Sequence, residues 1–271
     1  KLRSVNTSLK KELRQMQVAI TGAATGIGAE VTLKLKAQGH TVTAFDIVET
    51  KQNVDNFIQL DLSDLKSIRN AIDNTKGPFD ALINNAGLPP RKNLEEKILM
   101  VNYIGMKTFM NGMLDKLEKG ASIVNTSSRA GSMWQENLMQ VKRFMRINSS
   151  ELNNFISKEN IDPVRAYNLS KEAIIVLTMA KTEELLARGL RINSLCPAAV
   201  STEILKDFTN AFGKKVVENI ARTGRAALPE EVADSIIYLA SPQSAWIKGQ
   251  NITIDGGMSA MIATDMLELN N

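Results

Sequence analysis

Residues 17–28 read Gln17-Val18-Ala19-Ile20-Thr21-Gly22-Ala23-Ala24-Thr25-Gly26-Ile27-Gly28 and lead into Ala29-Glu30-Val31-Thr32-Leu33-Lys34-Leu35-Lys36. Residues 17–20 are a short strand-like run, and residues 29–36 carry apolar side chains at helical spacing, so the glycines join a strand to a helix. In that context a Gly-rich turn is a phosphate cradle. Gly22 permits the tight turn, Gly26 lets backbone N–H groups approach a pyrophosphate, and Gly28 lets the helix pack closely on the strand, with its N-terminus facing the anion. Asp46 follows at the end of the run Thr41-Val42-Thr43-Ala44-Phe45. A carboxylate placed there accepts hydrogen bonds from a ribose diol and repels a 2′-phosphate, and neither Ala23 nor Ile47 supplies the cation that a 2′-phosphate needs. The pattern points to NAD.

A second stretch, Tyr167-Asn168-Leu169-Ser170-Lys171, carries acid/base chemistry. Residues four apart share one face of a helix, so a phenol and an ammonium stand side by side. A cation about 5 Å away at an effective dielectric of about 20 contributes about 3 kcal/mol, or about 2 pKa units from the usual tyrosine value near 10. The phenol is therefore expected to exchange protons near neutral pH.

With these two motifs in place, the chain resembles the short-chain dehydrogenase/reductase family from about residue 16 to about 260. Further matches run in order. Asp61-Leu62 resembles the family's adenine contact, and Asn84-Asn85-Ala86-Gly87 after Ala81-Leu82-Ile83 resembles its fourth-strand motif. Asn102 resembles the active-site asparagine, and Ser128 the catalytic serine, ahead of its neighbour Ser127. Residues 191–197 and 249–257 resemble the sixth and seventh strands. The resemblance implies a Rossmann-type doubly wound parallel sheet in the α/β class, with reversible hydride transfer between NAD(H) and a secondary alcohol or its ketone. Tyr167 would exchange the hydroxyl proton, Ser128 would stabilise charge on the substrate oxygen, Lys171 would lower the phenol's pKa and bind the nicotinamide ribose, and Asn102 would position a water. Gly22, Thr25, Gly26, Ile27, Gly28, Asp46, Asp61, Leu62, Asn85, Ala86, Gly87, Pro197, Val200 and Thr202 complete the implied cofactor shell together with Tyr167 and Lys171, Thr202 as the carboxamide contact.

Composition agrees with an α/β protein of this kind. The 271 residues and 44% hydrophobic content are expected to form residues 16–271 into one domain, behind an N-terminal extension of residues 1–15. Apolar runs such as Ile174 to Leu177 fall far short of a membrane span. One cysteine, Cys196, rules out disulfides within the chain and points to a reducing, cytoplasmic compartment. One histidine, His40, rules out His-based metal clusters and argues against a Ser-His-Asp hydrolase, so no metal site is expected. The net charge of +4 owes much to the first 15 residues, and no aromatic residues interleave with the basic ones, which argues against nucleic acid as a partner.

Three departures from the usual family pattern stand out. Between Ser128 and Tyr167 lie 38 residues, 129 to 166, more than most members carry. The added stretch, about 132–165, holds Met133, Trp134, Leu138, Val141, Phe144 and Met145 at near-helical spacing, then a second helical pattern around 151–158, and is expected to be a helical insertion. The segment from Gly87 to Asn102 is short. Together these resemble the bacterial 3α-hydroxysteroid dehydrogenase/carbonyl reductase branch. The third departure is Ala198 after Pro197, where glycine is common; alanine at φ > 0 would cost about 1 kcal/mol.

Residues 203–222 contain Ile204, Leu205, Phe208, Phe212, Val216, Val217 and Ile220, an apolar segment that the family places over the substrate. The expected substrate is bulky and hydrophobic, a 3α-hydroxysteroid first, with an aryl or allylic alcohol as the alternative and a non-catalytic NAD-sensing regulator as the rival from another class. A homodimer is expected, because the insertion emerges beside the helices that family tetramers pair.

Overall fold

In the computed structural model, which describes residues 14–269, all seven strands pair in parallel. They are β1 (Gln17–Thr21), β2 (Thr41–Asp46), β3 (Asn56–Gln59), β4 (Phe79–Asn84), β5 (Leu117–Thr126), β6 (Arg191–Pro197) and β7 (Asn251–Ile254), in the order β3-β2-β1-β4-β5-β6-β7. The order reverses between β1 and β4, and the crevice at the carboxyl ends there is where such sheets bind ligands. Of the expected N-terminal extension, residues 1–13 lie outside the described residues.

Period-two alternation divides each strand between two cores. Val18 and Ile20 face one side with Val31 and Leu35 of the helix Gly26–Ala37 and Val232 and Ile236 of the helix Pro229–Ala240. Ala19 faces the other with Ile68 of the helix Leu65–Asp73, Phe109 of the helix Met106–Met113, and Ala166 and Leu169 of the helix Pro163–Ala180. Both faces of a parallel sheet must be covered in this way, because neither can meet water. Among the described residues, no helix is long and apolar enough to cross a membrane.

The helix that carries Tyr167 begins at Pro163, so the last residues of the expected insertion, 163–165, belong to it instead. Asp162 caps it by accepting the Arg165 N–H at 2.6 Å, and proline at the first position loses no helical hydrogen bond. The stretch 132–165 folds into two helices, Leu138–Arg146 and Leu152–Glu159. Its Val141 and Phe144 are buried, with the Phe144 ring 5.0 Å from Tyr103 and 5.7 Å from Phe155, whereas Met133 and Met139 stay exposed. Residues 203–222 also form two helices, Leu205–Phe212 and Lys214–Thr223, and no residue of either is fully buried. His40 lies in a loop yet is buried. Its Nδ1 accepts the Met16 N–H at 3.2 Å, and burial pulls its pKa down, so it ties the approach to β1 as a neutral ring.

One close approach sets the height of the Tyr167 helix over the sheet. A Cβ on Gly131 would stand 2.8 Å from the Lys171 carbonyl carbon and 2.9 Å from its oxygen, and this obstruction is backbone that cannot swing away. We expect Gly131→Ala to lower the unfolding free energy by about 1–3 kcal/mol, the usual range for overpacking. Urea unfolding followed by circular dichroism measures it, and a variant as stable as the parent would show that the helix shifts at no cost.

Candidate active site

At the carboxyl ends of β1, β4, β5 and β6 lies a cavity of about 1000 Å³. Gly22, Thr25, Gly26 and Ile27 line one end. Thr25 occupies the N-cap of the helix Gly26–Ala37 in extended conformation, and its side chain caps no N–H, so the first-turn donors remain for a ligand. Gly22 has φ +70°, and a Cβ there would stand 2.7 Å from the Ala86 Cα. Gly28 does not line the cavity. It sits behind the cradle, where a Cβ would collide with the Gly22 carbonyl. The β4 motif is tied to the same turn: the Asn85 and Ala86 N–H groups both donate to Thr21 Oγ1 at 3.1 Å, and Asn85 Nδ2 donates to the Gly22 carbonyl at 3.0 Å.

Two carboxylates line the cavity beyond the cradle. Asp46 accepts the Ala24 N–H at 3.0 Å and the Val48 N–H at 3.1 Å, which holds it at the tip of β2. Asp61 accepts the Ser63 hydroxyl at 2.6 Å and the Ser63 N–H at 2.8 Å. Burial acts to raise the Asp61 pKa, but these hydrogen bonds and the Lys97 charge carry it below the usual value, so it is an anion at neutral pH. Leu62, Asn85, Ala86 and Gly87 line the same wall. Free donors at a helix start, no room for a Cβ in the turn and acceptors at the far end fit a dinucleotide.

At the other end of the cavity stand Ser128, Tyr167 and Lys171, with Pro197, Val200 and Thr202 opposite. Tyr167 is 6% exposed and Lys171 4%. Lys171 Nζ lies 5.7 Å from the centre of the Tyr167 ring and donates to the Thr126 carbonyl at 2.9 Å. Burial pulls the ammonium down to about 8. Burial also pushes the Tyr167 phenol up, and the neighbouring Ser128 hydroxyl pulls it only part of the way back. The expectation of a phenol titrating near neutrality is therefore corrected. Desolvation of the phenolate in this closed site outweighs an ammonium that lies over the ring.

Ser128 caps the short turn Arg129–Gly131, its Oγ accepting the Ala130 N–H at 3.2 Å, while the Ser127 hydroxyl is buried and donates to the Lys171 carbonyl. Asn102 does not line the cavity. It lies in a π-helical turn, Met100–Gly105, and its side chain is spent on holding Leu88: Oδ1 accepts the Leu88 N–H at 2.7 Å, and Nδ2 donates to the Leu88 carbonyl at 3.0 Å and to Ser170 Oγ at 3.2 Å. The Ser170 hydroxyl in turn donates to the Tyr167 carbonyl at 2.7 Å. Ala198 does not adopt a left-handed φ, so the strain expected there is absent.

The expected apolar segment meets the site through its phenylalanines: the Phe208 ring is T-shaped to Tyr167 at 5.1 Å, and Phe212 follows at 6.5 Å. Two further features lie outside what the sequence showed. Arg91 makes a bidentate pair with Asp207 of the helix Leu205–Phe212, at 3.1 and 2.8 Å. Glu172, next to Lys171, is buried against Arg165 and Asn137. The apolar residues of 203–222 and the seven-residue spacing of Arg165 and Glu172 are visible signals; nothing local pairs Arg91 with Asp207.

Residues 16–140 match the family model described as short chain dehydrogenase, and residues 143–259 match that described as Enoyl-(Acyl carrier protein) reductase. A coniferyl-alcohol dehydrogenase of a Pseudomonas species is 32% identical over 252 residues, covering 92% of this chain and 98% of the relative. The 3-alpha-hydroxysteroid dehydrogenase/carbonyl reductase of Comamonas testosteroni is 27% identical over 258 residues, covering 90% and 97%. Among solved structures, a 3-alpha-hydroxysteroid dehydrogenase from a Pseudomonas species, complexed with NADH, superposes with a TM-score of 0.80 at 27% identity, covering 91% of this chain and 98% of that one. Fold, motifs and relatives agree that the chain belongs to the short-chain dehydrogenase/reductase family of oxidoreductases.

Proposed function

We propose that the protein is an NAD(H)-dependent oxidoreductase interconverting a bulky, ring-bearing alcohol and its carbonyl compound, with a 3α-hydroxysteroid or comparable cyclic secondary alcohol as the first candidate. The observation that carries this reading is that Ser128, Tyr167 and Lys171 converge in the same cavity as the Gly-rich cradle, beneath the apolar helices of residues 203–222. A pure NAD sensor needs no such proton-transfer group.

When bound, NAD supplies or accepts the hydride at its nicotinamide ring. The first-turn N–H groups after Thr25 would hold its pyrophosphate, Asp46 its adenosine ribose, Asp61 and Leu62 its adenine, and Thr202 its carboxamide. Tyr167 gives its proton to the carbonyl oxygen in reduction and takes it back in oxidation. Ser128 donates to that oxygen as negative charge develops there. Lys171 would hold the nicotinamide ribose and favour the phenolate, and Asn102 fixes the wall at Leu88 and the Tyr167 helix through Ser170.

Burying about 200 Å² of apolar ligand surface beneath the lid contributes about 5 kcal/mol before ordering costs, which favours a large hydrophobic alcohol over a small polar one. The Phe208 and Phe212 rings lie 17° from parallel, each T-shaped to Tyr167. This aromatic wall supports an aryl or allylic alcohol as the second reading, and the coniferyl-alcohol dehydrogenase likeness supports it too. The helix Leu138–Arg146 packs on the helix Pro163–Ala180, and the helix Leu152–Glu159 packs on Glu95–Leu99. With those outer faces covered, a two-fold dimer through the β7 side is the assembly we propose. The buried free thiol of Cys196 accords with the cytoplasm.

Three outcomes follow. Tyr167→Phe should lower kcat by about 10²–10⁴, the range for a lost general acid, while NADH affinity measured by fluorescence holds; Lys171→Ala should damage both, and near-normal turnover of Tyr167→Phe would remove the phenol from the mechanism. The parent should prefer NAD clearly over NADP in kcat/KM, and Asp46→Ala should narrow that preference; equal efficiency in the parent would contradict the role given to Asp46. In a substrate panel followed by NADH absorbance, 3α-hydroxysteroids or aryl alcohols should exceed sugars and short 2-hydroxy acids, and the reverse order would sink the lid argument.

A further inference from the structure

The wall of the cavity that follows Ser128 is built by residues Ser132 and Met133, the first of the insertion. Met133 lines the cavity with 52% of its surface exposed, so its own packing does not hold it in place. What restrains the segment is polar and sits just behind it. Asn137 occupies the N-cap of the helix Leu138–Arg146, a position where an asparagine side chain ordinarily accepts an N–H of its own helix. Here it makes no such bond. Its Nδ2 is turned to the Tyr167 helix and donates to Glu172 Oε1 at 2.8 Å.

Glu172 is the residue after Lys171, and its side chain is 1% exposed. Its two oxygens are gripped by Arg165, two turns earlier on the same helix, at 2.8 and 2.5 Å. Arg165 Nε also donates to Gln140 at 2.7 Å, and Gln140 donates to Glu159 at 3.1 Å, so the grip extends to both insertion helices. A partly buried ion pair contributes little net stability, because desolvation offsets its attraction, but its geometry is sharply defined when neighbours hydrogen-bond both partners. Here Asn137 bonds Glu172 and Gln140 bonds Arg165.

We propose that Asn137, bonded to the buried Glu172 that Arg165 pairs with, is a specificity-determining positioning residue that fixes the Ser132–Met133 wall against a bulky substrate. The inference rests on the oxidoreductase reading above. Asn137 touches neither the cradle nor Tyr167 and acts only through the wall. Removing its amide frees residues 132–137 from the helix while Arg165 still neutralises Glu172. The loss falls on ligands large enough to reach Met133 and spares those that fill only the space beside Ser128 and Tyr167.

The test is steady-state kinetics of Asn137→Ala, Met133→Ala and the double variant with a 3α-hydroxysteroid, coniferyl alcohol and cyclohexanol, alongside NADH binding and thermal melting. We expect Asn137→Ala to raise KM for the larger of these alcohols that the parent turns over by about tenfold, the scale of a lost apolar contact, with kcat, NADH affinity and KM for cyclohexanol unchanged. Met133→Ala should reproduce the effect, and the double variant should add little to either, as for two residues acting through one wall. Equal changes for large and small alcohols, or none for the large one, would overturn the clamp while leaving the functional reading intact. Failure of the parent to turn over any of the three alcohols would overturn both.

Discussion

The site depends on an ammonium carried where little water reaches it. Lys171 reaches the carboxyl end of β5 and is held there by one carbonyl, that of Thr126. Such a charge is tolerated only if its surroundings are rigid enough to keep that partner in place. The neighbouring structure is built accordingly. Ser127 fastens the backbone of Lys171 to the strand end, Gly131 lets the following turn lie against that same backbone, and Ser170 joins the helix to Asn102 and through it to Leu88. Moving any of these moves the ammonium, and with it the phenol one turn earlier.

Burial acts on both members of the pair and in opposite senses. It raises the phenol, lowers the ammonium to about 8, and so favours the neutral form of each. The Ser128 hydroxyl beside the phenol acts against that burial and pulls it only part of the way back.

What was legible in the sequence is what is contiguous in it. The cradle at 22–28, the Tyr167-to-Lys171 turn and the 84–87 motif each fold within a few residues, and short continuous apolar runs such as residues 18–20 and 81–83 mark the strands, so sheet and cavity follow. The helix start at Pro163 was hidden because Arg165 puts a charge in the first turn, and its partners, Glu172 two turns on and Gln140 of the insertion, are brought to it only by the fold. The role of Asn102 was read from a motif, but its use to brace Leu88 depends on a π-helical turn that no periodicity reveals. Arg91 and Asp207 lie 116 residues apart, and their pairing follows only from the assembled sheet.

The lid is held shut by rings more than by charge. The Arg91 side chain is half-exposed, so its pair with Asp207 contributes on the order of 0–1 kcal/mol, even though Arg91 holds the Asp207 carboxyl below its usual pKa. The contacts of Phe208 and Phe212 with Tyr167 contribute about 0.5–1.5 kcal/mol each beyond the area they bury. The contact of the helix Leu205–Phe212 with Tyr167 therefore rests on its two phenylalanines more than on the ion pair, which lies toward solvent.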